Sequence, residues 1–347
     1  DLVGDVLQGE LQITSYRSPI RLRRAQHVAS SRERTVRFHN ESDSLLLGGI
    51  LLLPSGDGPF PAVVFVTGSD PDTREAWGVE AQELASRGVA SLRYDKRGVG
   101  ESRGASHDLA SWDDLAGDVE GAVSFLRTIP SLDTRRIGLI GQSQGTWIIA
   151  KVAGRDSKIG FLVSISGSGI SAAAQETYRT GALMKADGYD DVEVERARAF
   201  QRQKFQVAKS GLGWESLDST MKRLRADSVK WFPGYGTGAA ARTLALLRLF
   251  GVLQFNYDPT KDLRRIKAPV LVLMGENDLV FPPQLVIERM RRALFDGGNR
   301  DFTARIIPAA GHGLTSVQTY QGKPFRRAIN REFLETLASW VRQTTRR

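Results

Sequence analysis

The 347-residue chain contains no cysteine. Disulfide bonds, thiolate metal sites and cysteine nucleophiles are therefore excluded, although this absence does not fix the compartment. No apolar run reaches the roughly 18 residues that a membrane-spanning helix needs, so no membrane span is predicted. Because the first residue is Asp1 rather than methionine, we expect a protein that is either cytoplasmic or exported after removal of a targeting segment.

Acidic residues are outnumbered by basic ones, 39 against 48, which gives a formal net charge of +9. Such an excess can indicate a nucleic-acid or anionic-membrane partner. Here the basic residues are scattered among acids at helical spacing, and no zinc-finger, recognition-helix or RNA-binding motif accompanies them. We interpret the positive charge as a solvated surface and predict no nucleic-acid partner. The sequence leaves the oligomeric state open.

Short apolar strands alternate with amphipathic helices over residues 35–167 and again over residues 258–347. Near-continuous apolar runs such as AVVFVTG, which begins at Ala62, are typical of parallel strands that are buried on both faces. The alternation predicts an α/β fold with a mostly parallel central sheet and helices on both faces. The last helix is predicted over residues 325–343. Residues 1–34 are irregular and are predicted to be an N-terminal extension, in which the alternating stretch ELQITSYRSPIRLRR is compatible with one or two β-strands.

Residues 168–257 differ from the rest of the chain, because every regular stretch in them has helical rather than strand periodicity. Since the segment follows a strand, it predicts an inserted helical cap, or lid, over the carboxyl ends of the strands. Its aromatic side chains either line an acyl pocket or pack within the lid, and packing is the more frequent role for such residues. These aromatics are Trp214, Trp231, Phe232, Tyr235 and Phe250.

One serine, Ser143, lies between two glycines where an apolar strand meets a helix, in the sequence RIGLIGQSQGTWIIAKVAG. In a nucleophile elbow, the serine occupies a tight and strained turn, and the positions two before and two after it must be glycine or very small. Gly141 and Gly145 meet that requirement. We therefore interpret Ser143 as a nucleophile rather than as a polar turn residue.

A serine hydroxyl needs a base to take its proton and an acid to orient that base, and on this architecture the chain order is Ser, acid, His. The chain has only four histidines, and three of them precede Ser143: His27, His39 and His107. His312, between two glycines after a predicted strand, is therefore the candidate base. In VLVLMGENDLVFPP the candidate acid is Asp278, with Glu276 as the less favoured alternative.

A tetrahedral intermediate needs two backbone N–H donors for its oxyanion. One is predicted at Gln144, which follows the nucleophile at the start of a helix. The other is predicted at Ser69, or alternatively at Asp70, in the loop after AVVFVTG, where Gly68 allows the backbone to approach. No metal or other cofactor is expected.

The segments FVTGSDPDTRE, YDKRGVGES, GLIGQSQGTW, LVLMGENDLVFPP and PAAGHG together resemble the α/β-hydrolase superfamily, and they occur in its order. The longer stretch that ends with the first of them, GILLLPSGDGPFPAVVFVTGSDPDTRE, resembles the esterase branch related to prolyl oligopeptidase and acyl-transferase-type hydrolases. That branch often carries His-Gly-Ser-Gly-Pro in this loop. Thr67 and Asp70 depart from that pattern. The resemblance implies the fold, the Ser143–Asp278–His312 triad and a lid insertion. YDKRGVGES, with Asp95 and Arg97, is interpreted as structural support beside the elbow.

The expected function is hydrolysis of carboxylic esters through an acyl-enzyme, with a small-molecule acyl substrate. An amide hydrolase or aminopeptidase and a thioesterase would use the same triad. An aminopeptidase usually has acidic lid residues that bind the substrate amine, and GYDDVEVE offers Asp190, Asp191, Glu193 and Glu195, which are more typical of a solvated helix start. A catalytically silent binding protein on the same fold is a further alternative.

Overall fold

The computed structural model describes residues 2–3, 6–13, 16–23, 31–40, 42–236, 242–320 and 323–346. The strands are β1 (Leu2–Val3), β2 (Val6–Ile13), β3 (Tyr16–Arg23), β4 (Arg32–His39), β5 (Leu46–Leu53), β6 (Phe60–Val66), β7 (Ala90–Tyr94), β8 (Leu132–Gln142), β9 (Phe161–Ile165), β10 (Val270–Gly275), β11 (Phe302–Ile307), β12 (Thr315–Tyr320) and β13 (Lys323–Ile329). The helices are α1 (Gly78–Ser86), α2 (Trp112–Arg127), α3 (Gln144–Arg155), α4 (Ala172–Ala186), α5 (Asp191–Ser210), α6 (Trp214–Ala226), α7 (Leu244–Phe250), α8 (Thr260–Leu263), α9 (Pro283–Asp296) and α10 (Arg331–Thr344).

Eight strands form the central sheet, in the order β11-β10-β9-β8-β6-β7-β5-β4. The pairs from β11 to β7 are all parallel, whereas β5 pairs antiparallel with both β7 and β4. The predicted mostly parallel sheet is confirmed. Because parallel strands carry their loops at the same edge, the turns that follow β6, β8, β10 and β11 meet at the carboxyl edge of the sheet.

Helices cover both faces of this sheet, and the strand side chains alternate between them. In β10, Val272 and Met274 face the core that α2, α3 and α9 cover. Leu271 and Leu273 face the second core, which α1 and α10 cover. All four side chains are fully buried. This burial on both faces explains why β10 is apolar at every position rather than at every second one.

The N-terminal strands form a sheet of their own. β1, β2 and β3 pair antiparallel, and β2 and β3 are a hairpin in which Val6 is opposite Arg23. The next strand, β4, begins at Arg32, three residues before the predicted start of the core, and pairs with β5 over its whole length.

The start of the last helix was predicted wrongly. Residues 325–329 belong to β13, which pairs antiparallel with β12, and α10 begins only at Arg331. The reason is the N-cap. The Asn330 side chain accepts hydrogen bonds from the backbone N–H groups of Glu332 and Phe333, so α10 begins immediately after Asn330.

Helices α4 to α7 lie between β9 and β10 and pack around an apolar cluster of their own. This cluster includes Met184, Phe200, Trp231, Phe232 and Leu247, all buried. In the described part of residues 168–257, which omits 237–241, there is no strand. None of the helices in the described ranges combines the length and apolarity needed to cross a bilayer.

Candidate active site

Ser143 occupies the turn between β8 and α3 with φ 50° and ψ −117°, a backbone conformation that costs energy for a non-glycine residue. The flanking glycines are sterically required. A Cβ at Gly145 would lie 2.2 Å from the Val66 carbonyl oxygen, and one at Gly141 would lie 2.5 Å from the Gly145 carbonyl oxygen. The turn is fixed further by the Ser143 N–H, which donates to the Ile165 carbonyl at 3.0 Å.

The structure brings His312 and Asp278 together. Nδ1 of His312 lies 3.0 Å from Oδ2 and 3.1 Å from Oδ1 of Asp278. The aspartate follows β10 and is buried, while the imidazole is 27% exposed. A proton on Nδ1 leaves Nε2 free to act as a base, which is the tautomer that a serine nucleophile needs.

Aromatic side chains support this pair. The imidazole of His312 stacks on the ring of Phe281, with ring centres 5.9 Å apart and an angle of 7° between the planes. Phe281 in turn packs on Trp147 of α3. The Tyr178 hydroxyl, on α4, donates to the backbone carbonyl of Asp278 at 3.1 Å. Neither Tyr178 nor Phe281 was identified from the sequence, because both contacts depend on the tertiary structure.

Glu276, the alternative acid, points elsewhere. Its Oε2 accepts a hydrogen bond from the backbone N–H of Ala309 at 2.9 Å, on an exposed part of the loop. Of the two acids proposed from the sequence, the structure places Asp278, and not Glu276, in contact with His312.

A cavity of about 490 Å³ opens beside Ser143 and His312. Its floor consists of residues from the loop after β6 and from the elbow: Gly68, Ser69, Asp70, Asp72, Gln142, Ser143 and Gln144. Its other walls include side chains from the inserted helices: Ala172, Gln175, Glu176, Arg179, Gln254 and Phe255. The predicted nucleophile, base and both predicted oxyanion donors therefore border one space.

The loop after β6 approaches the nucleophile closely. A Cβ at Gly68 would lie 3.4 Å from Cβ and 3.9 Å from Oγ of Ser143. Within the described residues, the Ser69 N–H donates to no protein acceptor, whereas the Ser69 carbonyl accepts a hydrogen bond from Nε2 of the buried His107 at 3.1 Å. Ser69 thus has its carbonyl fixed and its N–H available.

The cavity wall is richer in carboxylates than in cations. Asp70, Asp72 and Glu176 line it, together with Arg179, whose guanidinium is 3.0 Å from the Glu176 carboxylate. Partial burial raises the pKa of Asp72, although Lys96 opposes that shift. This charge distribution disfavours an anionic group in the cavity. In the described part of the chain, no group of three His, Asp or Glu side chains is arranged to hold a metal ion.

The YDKRGVGES segment is held by two buried ion pairs. Asp95 and Arg97 do not pair with each other: Asp95 accepts from the Arg74 side chain at 2.6 and 3.0 Å. Arg97 donates to both carboxylate oxygens of Asp118 at 2.7 and 2.8 Å. The first pair fixes the loop after β7 to the loop after β6, and the second fixes it to α2.

The acids proposed for an amine site lie outside the cavity. Asp190 caps α5 through a hydrogen bond from the Glu193 N–H at 2.8 Å. Asp191 and Glu195 are exposed and Glu193 is half-buried, and none of the four lines the cavity. The aromatics on the cavity wall are Trp112, Trp147 and Phe255, and none of them is among the five considered from the sequence.

Comparisons with known proteins agree with this architecture. A family model described as the alpha/beta hydrolase family matches residues 63–321. The esterase EstD of Thermotoga maritima is 33% identical over 124 residues, which are 34% of this chain and 29% of that protein. The thiohydrolase apmlB of Arthrinium phaeospermum is 29% identical over 123 residues, 35% of this chain and 39% of that protein. The matched stretches thus span well under half of either relative.

A solved structure of a hypothetical protein from Pseudomonas aeruginosa, PA2218, superposes with a TM-score of 0.57 at 20% identity. The superposition covers 91% of this chain and 94% of that one. At this identity, it supports a conclusion about the fold alone. Since the family model spans well over half of the sequence, the chain belongs to the alpha/beta hydrolase family.

Proposed function

We propose that this hydrolase cleaves carboxylic esters of small molecules through an acyl-enzyme formed on Ser143. One observation carries the proposal: Ser143, on a strained turn, borders the same cavity as His312, whose Nδ1 is bonded to the buried Asp278. A serine, an imidazole with its Nε2 available and a buried carboxylate are the three groups that activate a hydroxyl for acyl transfer.

In the proposed reaction, Ser143 Oγ attacks the ester carbonyl carbon while Nε2 of His312 takes the hydroxyl proton. Asp278 holds the imidazole in place and stabilises its protonated form. The N–H groups of Gln144 and Ser69 bind the oxyanion. The intermediate then expels the alcohol, which receives the proton from His312. Water attacks the acyl-enzyme with His312 as base, and the carboxylic acid is released.

The cavity lining supports an uncharged acyl or alcohol group as the preferred substrate portion. Trp112, Trp147 and Phe255 give the cavity an apolar part, whereas Asp70 and Glu176 repel anions. We propose that α4 and the π-helix Gly251–Phe255, which follows α7, act as a lid, which admits the substrate and limits its size.

The test is turnover of p-nitrophenyl esters of increasing chain length, with labelling by a fluorophosphonate probe. Ser143→Ala is expected to lose at least about a thousandfold in kcat and all labelling. The matched control is Ser166→Ala, because Ser166 has a similar φ of 50° at the end of the neighbouring strand β9 and does not line the cavity. Equal activity of the two variants would refute the assignment of Ser143.

The same cavity geometry serves an amide or a thioester, and the match to a thiohydrolase makes the thioester the stronger competitor. Acyl-thioester and aminoacyl-naphthylamide substrates are therefore run beside esters of the same acyl group. A higher kcat/KM for the thioester, dependent on Ser143, would keep the mechanism and replace the substrate class.

A further inference from the structure

We propose that Lys96 is a positioning residue, which holds the two backbone donors of the oxyanion hole in place through one ammonium group. The inference rests on the proposed function, since it assigns the Gln144 and Ser69 amides to oxyanion binding. It adds a residue whose side chain the triad does not use, and it explains why the residue after the nucleophile is glutamine.

Lys96 follows β7 and is only 4% exposed. Its Nζ donates to the backbone carbonyl of Gly68, to the carbonyl of Asp70 at 3.3 Å and to Oε1 of Gln144 at 3.2 Å. A lysine ammonium has three N–H donors, and here three acceptors surround it. Two belong to the loop after β6, and the third belongs to the residue that follows Ser143.

The contact to Gly68 acts directly on the proposed donor at Ser69. The Gly68 carbonyl and the Ser69 N–H belong to the same planar peptide group, in which a trans bond directs them to opposite sides. A cation bonded to the carbonyl oxygen polarises that group and strengthens its N–H as a donor. The ammonium therefore lies on the carbonyl side of the Gly68–Ser69 peptide group, and the Ser69 N–H on the opposite side is free to face the cavity.

The contact to Gln144 connects the second donor. The Gln144 side chain is buried at 8% exposure, and its Oε1 is bonded to the same ammonium. Displacement of either segment breaks a hydrogen bond to Lys96, so the ammonium fixes the distance between the two N–H groups. An oxyanion hole depends on donors that are fixed before the charge develops.

The charge of Lys96 depends on pH within a measurable range. Carboxylates face it from the loop after β6 (Asp70, Asp72), from the turn before α2 (Asp108) and from α2 (Asp118). His107 adjoins Asp72 and Asp108, and Arg97 is the next residue. Burial outweighs the carboxylates and lowers the pKa of Lys96 to about 8. The ammonium is thus present at neutral pH and is lost as the pH rises through that value.

Lys96→Met tests the proposal, with Gln144→Met as the second variant, because it retains the backbone N–H and removes Oε1. We expect Lys96→Met to lower kcat for a p-nitrophenyl ester roughly 10- to 100-fold, with KM changed by less than about threefold, because the donors act on the transition state. Gln144→Met is expected to lower kcat roughly 3- to 10-fold.

The pH profile distinguishes positioning from general loop support. Wild-type kcat is expected to fall above about pH 8, in step with the pKa of Lys96, and Lys96→Met is expected to lack this alkaline limb. Lys204→Met is the matched control, because Lys204 is also buried, has a pKa lowered to about 8 and does not line the cavity. It is expected to keep the limb.

Hydrogen exchange of residues 67–72 provides a readout that needs no turnover. Faster exchange in Lys96→Met than in Lys204→Met is expected, and equal exchange would overturn the positioning role. A Lys96→Met enzyme with full kcat, or one that keeps the limb near pH 8, would overturn it too. If Lys96→Met does not fold, Gln144→Met decides. In that case, an unchanged kcat together with unchanged hydrogen exchange of residues 67–72 in Gln144→Met would overturn the positioning role of Lys96. Wild-type turnover that does not require Ser143 would refute the proposed function itself, and with it the assignment of an oxyanion hole.

Discussion

Nδ1 of His312 lies within 3.1 Å of both carboxylate oxygens of Asp278, and the side chain of that aspartate is 0% exposed. Oδ1 accepts two further hydrogen bonds, from the N–H groups of Val280 at 2.7 Å and Phe281 at 2.9 Å. The carboxylate is therefore oriented by its own loop, independently of the imidazole. Such an arrangement fixes the histidine tautomer before any substrate binds.

Asp278→Asn is expected to lower kcat by about 10²- to 10⁴-fold with little change in KM. The asparagine oxygen still accepts from Val280 and Phe281, so the loop keeps its shape. Its amide NH₂ then faces Nδ1 and favours the tautomer with the proton on Nε2, which accepts no proton from Ser143. Steady-state kinetics on a p-nitrophenyl ester measure the loss.

Glu276→Gln is the matched control, since Glu276 is the neighbouring acid and binds only the Ala309 N–H among the described residues. It should retain kcat within about threefold. A loss in Glu276→Gln as large as that in Asp278→Asn would contradict the geometry.

The elbow glycines are expected to be needed for folding. Gly145→Ala places a Cβ 2.2 Å from the Val66 carbonyl and 2.8 Å from the Thr67 carbonyl, and backbone atoms move little. We expect a loss of roughly 3 kcal/mol or more in the free energy of unfolding, measured by urea denaturation. Gly234→Ala, where no atom of the described residues lies within 4 Å of the new Cβ, should change it by less than about 1 kcal/mol. Comparable stability of the two variants would show that the elbow can relax.

This local steric rule is also why the elbow was predictable. The elbow motif comprises five consecutive residues, Gly141 to Gly145, so its steric requirement can be recognised from the sequence alone. His312 was identified by elimination, because the other three histidines precede Ser143. Pairing of side chains between distant segments was not predictable in this way. Asp95 and Arg97, interpreted from the sequence as structural support beside the elbow, each bind a partner that lies on another loop or helix.

The lid aromatics show the same limit. Trp231 and Phe232 are 1% and 2% exposed inside the cluster of the inserted helices, whereas Phe255 and Trp112 line the cavity. Helical periodicity identifies an apolar face, but does not say whether that face meets another helix or an empty space. Contacts between the inserted segment and the core, such as the hydrogen bond from Trp112 Nε1 to the Gln254 carbonyl at 2.9 Å, decide which aromatics line the cavity.

The buried pair of Arg97 and Asp118 is expected to be a large contributor to stability. Both side chains are less than 10% exposed, and Asn40 also donates to Asp118, at 2.8 Å. Asp118→Ala leaves the buried guanidinium, among the described residues, with only the exposed Asp43 as a carboxylate partner, 3.3 Å away. It should cost about 3–5 kcal/mol of unfolding free energy.

The control for that variant is Asp218→Ala, which removes an ion pair with Lys222 on the surface of α6. It should cost less than about 1 kcal/mol, because solvent screens the pair. Both changes in the free energy of unfolding are to be measured by urea denaturation at pH 7. Similar losses in the two variants would mean that Arg97 finds another partner when Asp118 is removed.

Lys204→Met is expected to stabilise the protein. Lys204 is 7% exposed in α5, and within the described residues its Nζ has no hydrogen bond or ion pair, only the ring of Phe205 at 4.9 Å. Burial lowers its pKa from 10.5 to about 8, although Glu176 partly opposes this. The folded state therefore holds this proton less tightly than the unfolded state does, at a cost of roughly 2–4 kcal/mol at neutral pH.

That cost sets the pH dependence. Between pH 8 and pH 10.5 the unfolded chain binds more protons at this residue than the folded chain, so wild-type stability rises with pH there. We expect Lys204→Met to be more stable than wild type by about 1–3 kcal/mol at pH 7, with the difference shrinking toward pH 10. Lys96 titrates in both proteins, so its contribution cancels in the difference in stability between them. Lys222→Met serves as the control, because Lys222 is exposed. Its difference in stability from wild type should not shrink between pH 7 and pH 10. A Lys204→Met advantage that is the same at pH 7 and pH 10, or that is absent, would show that Lys204 carries no such cost.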